Sequence, residues 1–146
     1  FAAYIPFYPD CMTTFLSDTA VAARPIRIFG GTQDDYNPIA ACKAYVARLK
    51  RAGRDVNLTE YQNAQHGFDN PLGSPKPTVA QNAQTVRSCS IREEAPGQLI
   101  NTATGQVFSY KDKCVGLNPH VGYDAAATIA ARGEVGAFLA TLFKLY

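Results

Sequence analysis

Two loops carry the side chains best suited to chemistry. The first, Gly31-Thr32-Gln33-Asp34-Asp35-Tyr36-Asn37-Pro38, offers a carboxylate, and the second, Tyr61-Gln62-Asn63-Ala64-Gln65-His66-Gly67-Phe68, offers an imidazole. Imidazole is the group whose proton moves near neutral pH, and an acid beside it fixes its tautomer and steadies its cation. In acyl transfer such a pair takes the proton from a Ser or Cys nucleophile. On this reading Asp34 is the orienting acid and His66 the general base.

The pair can meet only if the elements before each loop deliver both to one edge. Pro25 to Phe29 reads as a short strand cut off by Gly30-Gly31. Asn37-Pro38 is a helix start, with Asn able to cap and Pro at the first helical position lacking only an N–H that would be unpaired anyway. Ile39, Cys42, Val46 and Leu49 then recur on one face, Arg48, Lys50 and Arg51 suit the C-terminal dipole, and Gly53 ends the helix. Asp55 to Tyr61 follows as a strand in which Val56 and Leu58 alternate with Asn57 and Thr59, the pattern of an edge position. This order is a βαβ unit, so the two strands are expected to be parallel with a right-handed crossover, and both loops open on the same edge.

The rest of the chain reads less sharply. Phe1 to Tyr8 has the aromatic and apolar run of a strand covered on both faces, stopping at Pro9. With no initiator Met and a start in mid-strand, the chain reads as a piece of a longer protein. Thr19 to Ala23 suggests a turn of helix, Asp69 to Thr78 a proline-rich loop, and Val79 to Ser88 a helix. Cys89 to Cys114 brackets a polar excursion with short strands expected at Ser90–Glu94, Gln98–Asn101 and Gln106–Tyr110, separated by Pro96-Gly97 and Thr104-Gly105. A bridge between those cysteines would stabilise its thin core by roughly 3 kcal/mol. Asp124 can cap a long last helix whose Ile129, Val135, Phe138, Leu139, Leu142 and Phe143 form an apolar face that needs a sheet to cover it.

The 146 residues, 47% hydrophobic and 18% charged, are the size of one globular domain. The net charge of +2 comes from scattered Lys and Arg, so no phosphate-tracking surface and no nucleic-acid partner are expected. Apolar runs fall short of the roughly 18 residues of a bilayer span, so no membrane role is expected. The four cysteines have no zinc-type spacing, and a metal site from His66, Asp69 and His120 has no spacing support. No cofactor is called for. Their even number fits two disulfides in an oxidising compartment or four buried thiols in the cytosol, and spacing chooses neither among these nor among the three pairings. His120 has no partner at readable spacing, Asp69 reads as structural, and Asp35 as solvated or capping local backbone.

The nucleophile is what the sequence does not show. No G-x-S-x-G or G-x-C-x-G turn occurs, and Ser74 follows His66 in a proline-rich loop. The Tyr8-Pro9-Asp10-Cys11 strand end resembles the C-terminal half of a dienelactone hydrolase family protein of the α/β-hydrolase fold. So do the Gly31-x-x-Asp34-Asp35-Tyr36-x-Pro38 loop, the Tyr61-x-x-Ala64-x-His66-Gly67-Phe68-Asp69 loop and Gly122-Tyr123-Asp124-Ala125-Ala126. The resemblance implies an α/β fold with a mostly parallel sheet and flanking helices, of which residues 1–146 are the C-terminal portion of a single domain. It implies a carboxylic ester or lactone as the small-molecule substrate, Asp34 and His66 as acid and base, and a Ser or Cys nucleophile in the missing N-terminal half. Tyr36 and Phe68 are candidates for the substrate pocket. Within the same picture Cys11 pairs with Cys42 and Cys89 with Cys114, which implies a periplasmic or secreted protein. The alternative is a non-catalytic secreted or periplasmic binding domain on the same scaffold.

Overall fold

The strand–helix–strand unit read from residues 25–61 is present in the computed structural model of the chain, which describes residues 1–145. The elements run β1 (Thr13–Thr14), β2 (Ile26–Gly31), α1 (Ile39–Arg51), β3 (Val56–Tyr61), β4 (Thr78–Val79), β5 (Gln84–Thr85) and β6 (Ile91–Ala95). They continue with β7 (Gln98–Asn101), β8 (Gln106–Val107), β9 (Gly116–Leu117), β10 (His120–Val121) and α2 (Ala125–Phe143).

Strands β2 and β3 are parallel, in register from Ile26 opposite Val56 to Gly31 opposite Tyr61. Helix α1 buries Cys42, Val46 and Leu49, and the latter two close a core with Ile26, Ile28 and Val56. Its last turn carries Arg48, Lys50 and Arg51, and Gly53 at φ 70° supplies the left-handed residue after it. The expected cap is absent: Pro38 precedes the helix with no side-chain capping bond, and the Asn37 amide donates instead to the Tyr8 carbonyl at 3.0 Å.

Residues 1–8 do not form a continuous strand. They run parallel to β2 through isolated bridges, Tyr4 to Ile26 and Phe7 to Phe29, and Pro6 between them has no N–H to donate. Phe1 and Tyr4 are exposed, so this segment is not covered on both faces, while Ile5, Phe7 and Tyr8 pack on the core.

The expected mostly parallel sheet is not what the described residues show, since β6, β7 and β8 are antiparallel neighbours, as are β4 with β10 and β5 with β9. Tight turns with Gly97 at φ 77° and Gly105 at φ 69° make hairpins there, and hairpins pair antiparallel. The excursion is anchored more firmly than expected: Ile91 of β6 pairs in parallel with Thr13 of β1, and Val86, Cys89 and Ile91 form a small core with Met12, Leu99, Phe108 and Val115. The third expected strand is short, Gln106–Val107 only. Both disulfides are formed, Cys11–Cys42 and Cys89–Cys114.

Two helical expectations fail. Residues 19–23 are irregular, with a turn at Thr19 and a bend at Ala23, and residues 79–88 hold the end of β4, a turn with Asn82 at φ 61°, and β5. The second segment stays extended because residues 116–121 satisfy it: Ala80 N–H donates to the Pro119 carbonyl, Asn118 N–H to the Ala83 carbonyl, and Asn82 N–H to Asn118 Oδ1.

Helix α2 is capped as expected, Asp124 accepting the Ala127 N–H at 2.9 Å. It presents its small residues to the protein: Ala127 and Ala131 pack on Phe29, Tyr61, Ala64 and Phe68, and the Thr128 hydroxyl donates to the Phe68 carbonyl. Of the expected apolar face, Val135, Phe138, Leu139 and Leu142 are partly buried, Val135 against the core, while Ile129 is 72% and Phe143 54% exposed. At 19 residues α2 is also long and apolar enough to cross a bilayer, a property missed in the runs of the sequence. Its first turns are engaged with the core instead.

Candidate active site

Each loop is shaped by where its strand stops. Gly31 ends β2 against the carbonyl of Ala64, with no room for a Cβ. The loops are then laced together: Thr32 N–H donates to the Tyr61 carbonyl, Gln33 N–H to the Ala64 carbonyl, and Asn63 N–H to the Thr32 hydroxyl, all at 2.9–3.0 Å. Gly67 at φ 72° turns the second loop away directly after His66. Parallel pairing of β2 and β3 thus brings an acid and an imidazole, 32 residues apart in sequence, to the same edge.

There Asp34 Oδ2 lies 3.0 Å from His66 Nδ1. The carboxylate is buried, and its other oxygen accepts main-chain N–H groups of Tyr36 and Asn37, each at 2.8 Å. Both carboxylate oxygens are therefore partnered, which is what a buried carboxylate requires. The imidazole is held between two rings, Tyr8 and Tyr36, each with its centroid 4.5 Å away. An imidazole so fixed, bonded through Nδ1, can offer Nε2 to a proton.

Tyr36, one of the two pocket candidates, is half-buried against the imidazole, whereas Phe68 has no exposed surface and belongs to the core beneath. All four cysteines are in disulfides, so among the described residues no free thiol can act as nucleophile. The Ser74 hydroxyl accepts the Lys76 N–H within its own loop, and its carbonyl accepts the N–H of Tyr123 ahead of α2. An apolar cleft of about 420 Å³, lined by Tyr4, Pro6, Val21, Ile28 and Tyr45 among others, contains neither Asp34 nor His66. Having no acid–imidazole pair in its wall, it offers no comparable chemistry.

The neighbouring acid, expected to be solvated or to cap local backbone, is partly exposed and bonded to distant residues. Asp35 accepts from the His120 main chain at 2.7 Å and from Arg87 at 2.6 Å, and His120 Nδ1 lies 3.0 Å from Asp35 Oδ2. Burial alone would raise this carboxyl, but the two bonds from His120 together with Arg87 outweigh it and hold it below the usual carboxylate range. His120 therefore has a partner after all, 85 residues away. Strand β10 brings it there by running beside the histidine loop, with Val121 bridged to His66 and Gly122 N–H donating to the His66 carbonyl.

Asp69, read as structural, accepts the Tyr8 hydroxyl at 2.9 Å. No periodicity or motif links residues 61 or 85 apart, so neither contact was visible in sequence. The one available signal was the position of Asp69 in the turn directly after His66. Residues 1–92, which include both loops, match the family model described as the dienelactone hydrolase family. No curated protein and no solved structure matches the chain.

Proposed function

The chain belongs to the dienelactone hydrolase family, whose members are hydrolases, and from that premise we propose that it supplies the acid and base of a carboxylic ester or lactone hydrolase. The observation that carries this reading is the 3.0 Å contact between His66 Nδ1 and a buried Asp34 whose other oxygen accepts two main-chain N–H groups. Asp34 holds the Nδ1–H tautomer, which leaves the Nε2 lone pair to take a proton from the nucleophile. The nucleophile attacks the carbonyl, His66 passes the proton to the leaving alkoxide, and water then clears the acyl-enzyme with His66 again as base.

The Ser or Cys nucleophile comes from a segment on the N-terminal side of these residues, in the same domain. Two facts support this: the sequence has no nucleophile turn, and its cysteines are bonded to one another. The two disulfides are compatible with an extracellular or periplasmic location, and we assign the protein to one of these. The test is hydrolysis of a chromogenic aryl ester by the full-length protein. His66→Ala is expected to lower kcat/KM by about three orders of magnitude or more. Turnover within a few-fold of the parent's would remove the base assignment.

A further inference from the structure

Tyr8 has an unusual backbone for a bulky aromatic residue, φ 38°, in the left-handed region that side chains other than those of Gly and Asn rarely occupy. Strain of this kind persists only where surrounding contacts over-determine it. Here they do. Tyr8 N–H donates to the Phe29 carbonyl at 2.6 Å, its carbonyl accepts from the Asn37 side chain at 3.0 Å, and its hydroxyl donates to Asp69 Oδ1 at 2.9 Å. Its ring meanwhile lies 4.5 Å from the His66 ring.

These bonds close a circuit around the imidazole. Asn37 main-chain N–H donates to Asp34 Oδ1, Asp34 Oδ2 faces His66 Nδ1, and Asp69 is in the turn that leaves His66. Tyr8 thus grips the acid loop with its main chain and the histidine loop with its phenol. From the Tyr8 hydroxyl and carbonyl contacts we infer that Tyr8 is a positioning residue that, with Asp69, holds His66 against Asp34. The inference rests on the reading of His66 as base. The phenol proton is given to Asp69, so it is not a donor to substrate. Burial and the Asp69 carboxylate push the phenol up to about 12, which keeps it a donor across any physiological pH.

Tyr8→Phe keeps the ring and removes only the hydroxyl, while Asp69→Ala removes the acceptor and Asp69→Asn retains one. In the intact protein, the first two variants are expected to lower kcat about tenfold with KM within twofold, and their combination to lose no more than either alone. Asp69→Asn is expected to recover most of the loss. The second readout does not depend on turnover: the low-field Nδ1–H proton resonance of His66, assigned by its disappearance in His66→Ala, is expected to exchange faster in Tyr8→Phe and Asp69→Ala. If both the rate and this resonance stay as in the parent, the clamp is wrong although His66 can still be the base. If instead His66→Ala hydrolyses ester normally, the base assignment fails, and the resonance alone decides whether the clamp exists.

Discussion

Asp34 and Asp35 are neighbours in sequence, and each faces the Nδ1 of a histidine at 3.0 Å. Distance alone does not separate the two pairs, but their surroundings do. The Asp34 side chain is 1% exposed and bonded to two main-chain N–H groups, and its imidazole is packed between two tyrosine rings. The Asp35 side chain is 36% exposed and shared with Arg87, and its histidine is 45% exposed. A carboxylate taken out of water with its dipolar partners fixed in advance can orient an imidazole strongly, whereas one still in contact with solvent forms a screened tie. The first pair therefore has the makings of a catalytic dyad. The second joins the acid loop to β10 and to Arg87, just ahead of the excursion.

The sharpest way to break this contrast is to neutralise each acid in turn. Asp34→Asn is expected to lower kcat by about three to four orders of magnitude, because an amide favours the wrong imidazole tautomer. Asp35→Asn should keep ester turnover within about threefold, as befits a partly exposed ion pair. Equal losses in steady-state assays would erase the distinction.

A smaller effect is expected from opening the excursion. Replacing Cys89 and Cys114 with Ala frees a loop closed across a separation of 25 residues, which should cost about 3 kcal/mol in urea unfolding. Because the small core around Val86 and Ile91 is separate from that around Phe68, the His66–Asp34 resonance signature should survive in the folded fraction. Its loss would show that the two regions are one unit.

The smallest effect concerns pH. The Asp35 carboxyl titrates lower in the folded protein than the ordinary 3.8, so its contribution to stability is present above that value and is lost as pH falls through the folded value. In acid titrations monitored by circular dichroism, Asp35→Asn should therefore narrow the difference between neutral and strongly acid stability. High salt should mask part of this, since the group is partly exposed. A variant with an unchanged acid profile would mean that Arg87 and His120 do not hold the acid loop in solution.

The parts of this protein legible in its sequence are those specified locally. Strands β2 and β3 and helix α1 follow from residue periodicity, from the stops at Gly30-Gly31 and Gly53, and from the Arg48, Lys50 and Arg51 turn. With them came the positions of Asp34 and His66, because loops after parallel strands must open on one edge. The cysteine pairing was legible only through family resemblance, since spacing permitted three arrangements.

What the sequence could not decide depended on closure between distant segments. Residues 79–88 have no strong local preference, and hydrogen bonds offered by residues 116–121 drew them into strands. In helix α2 the large apolar residues suggested one inner face, but the residues buried most deeply are the small Ala127, Thr128 and Ala131. Phe68 and Tyr61 decided this, by filling the space that only Ala127 and Ala131 could then approach. The sequence by itself thus determined an aspartate loop, a histidine loop and the unit that carries them to one edge. Only the tertiary structure decided that Asp35 meets His120 and that Tyr8 reaches Asp69, because those bonds form between residues that no local pattern connects.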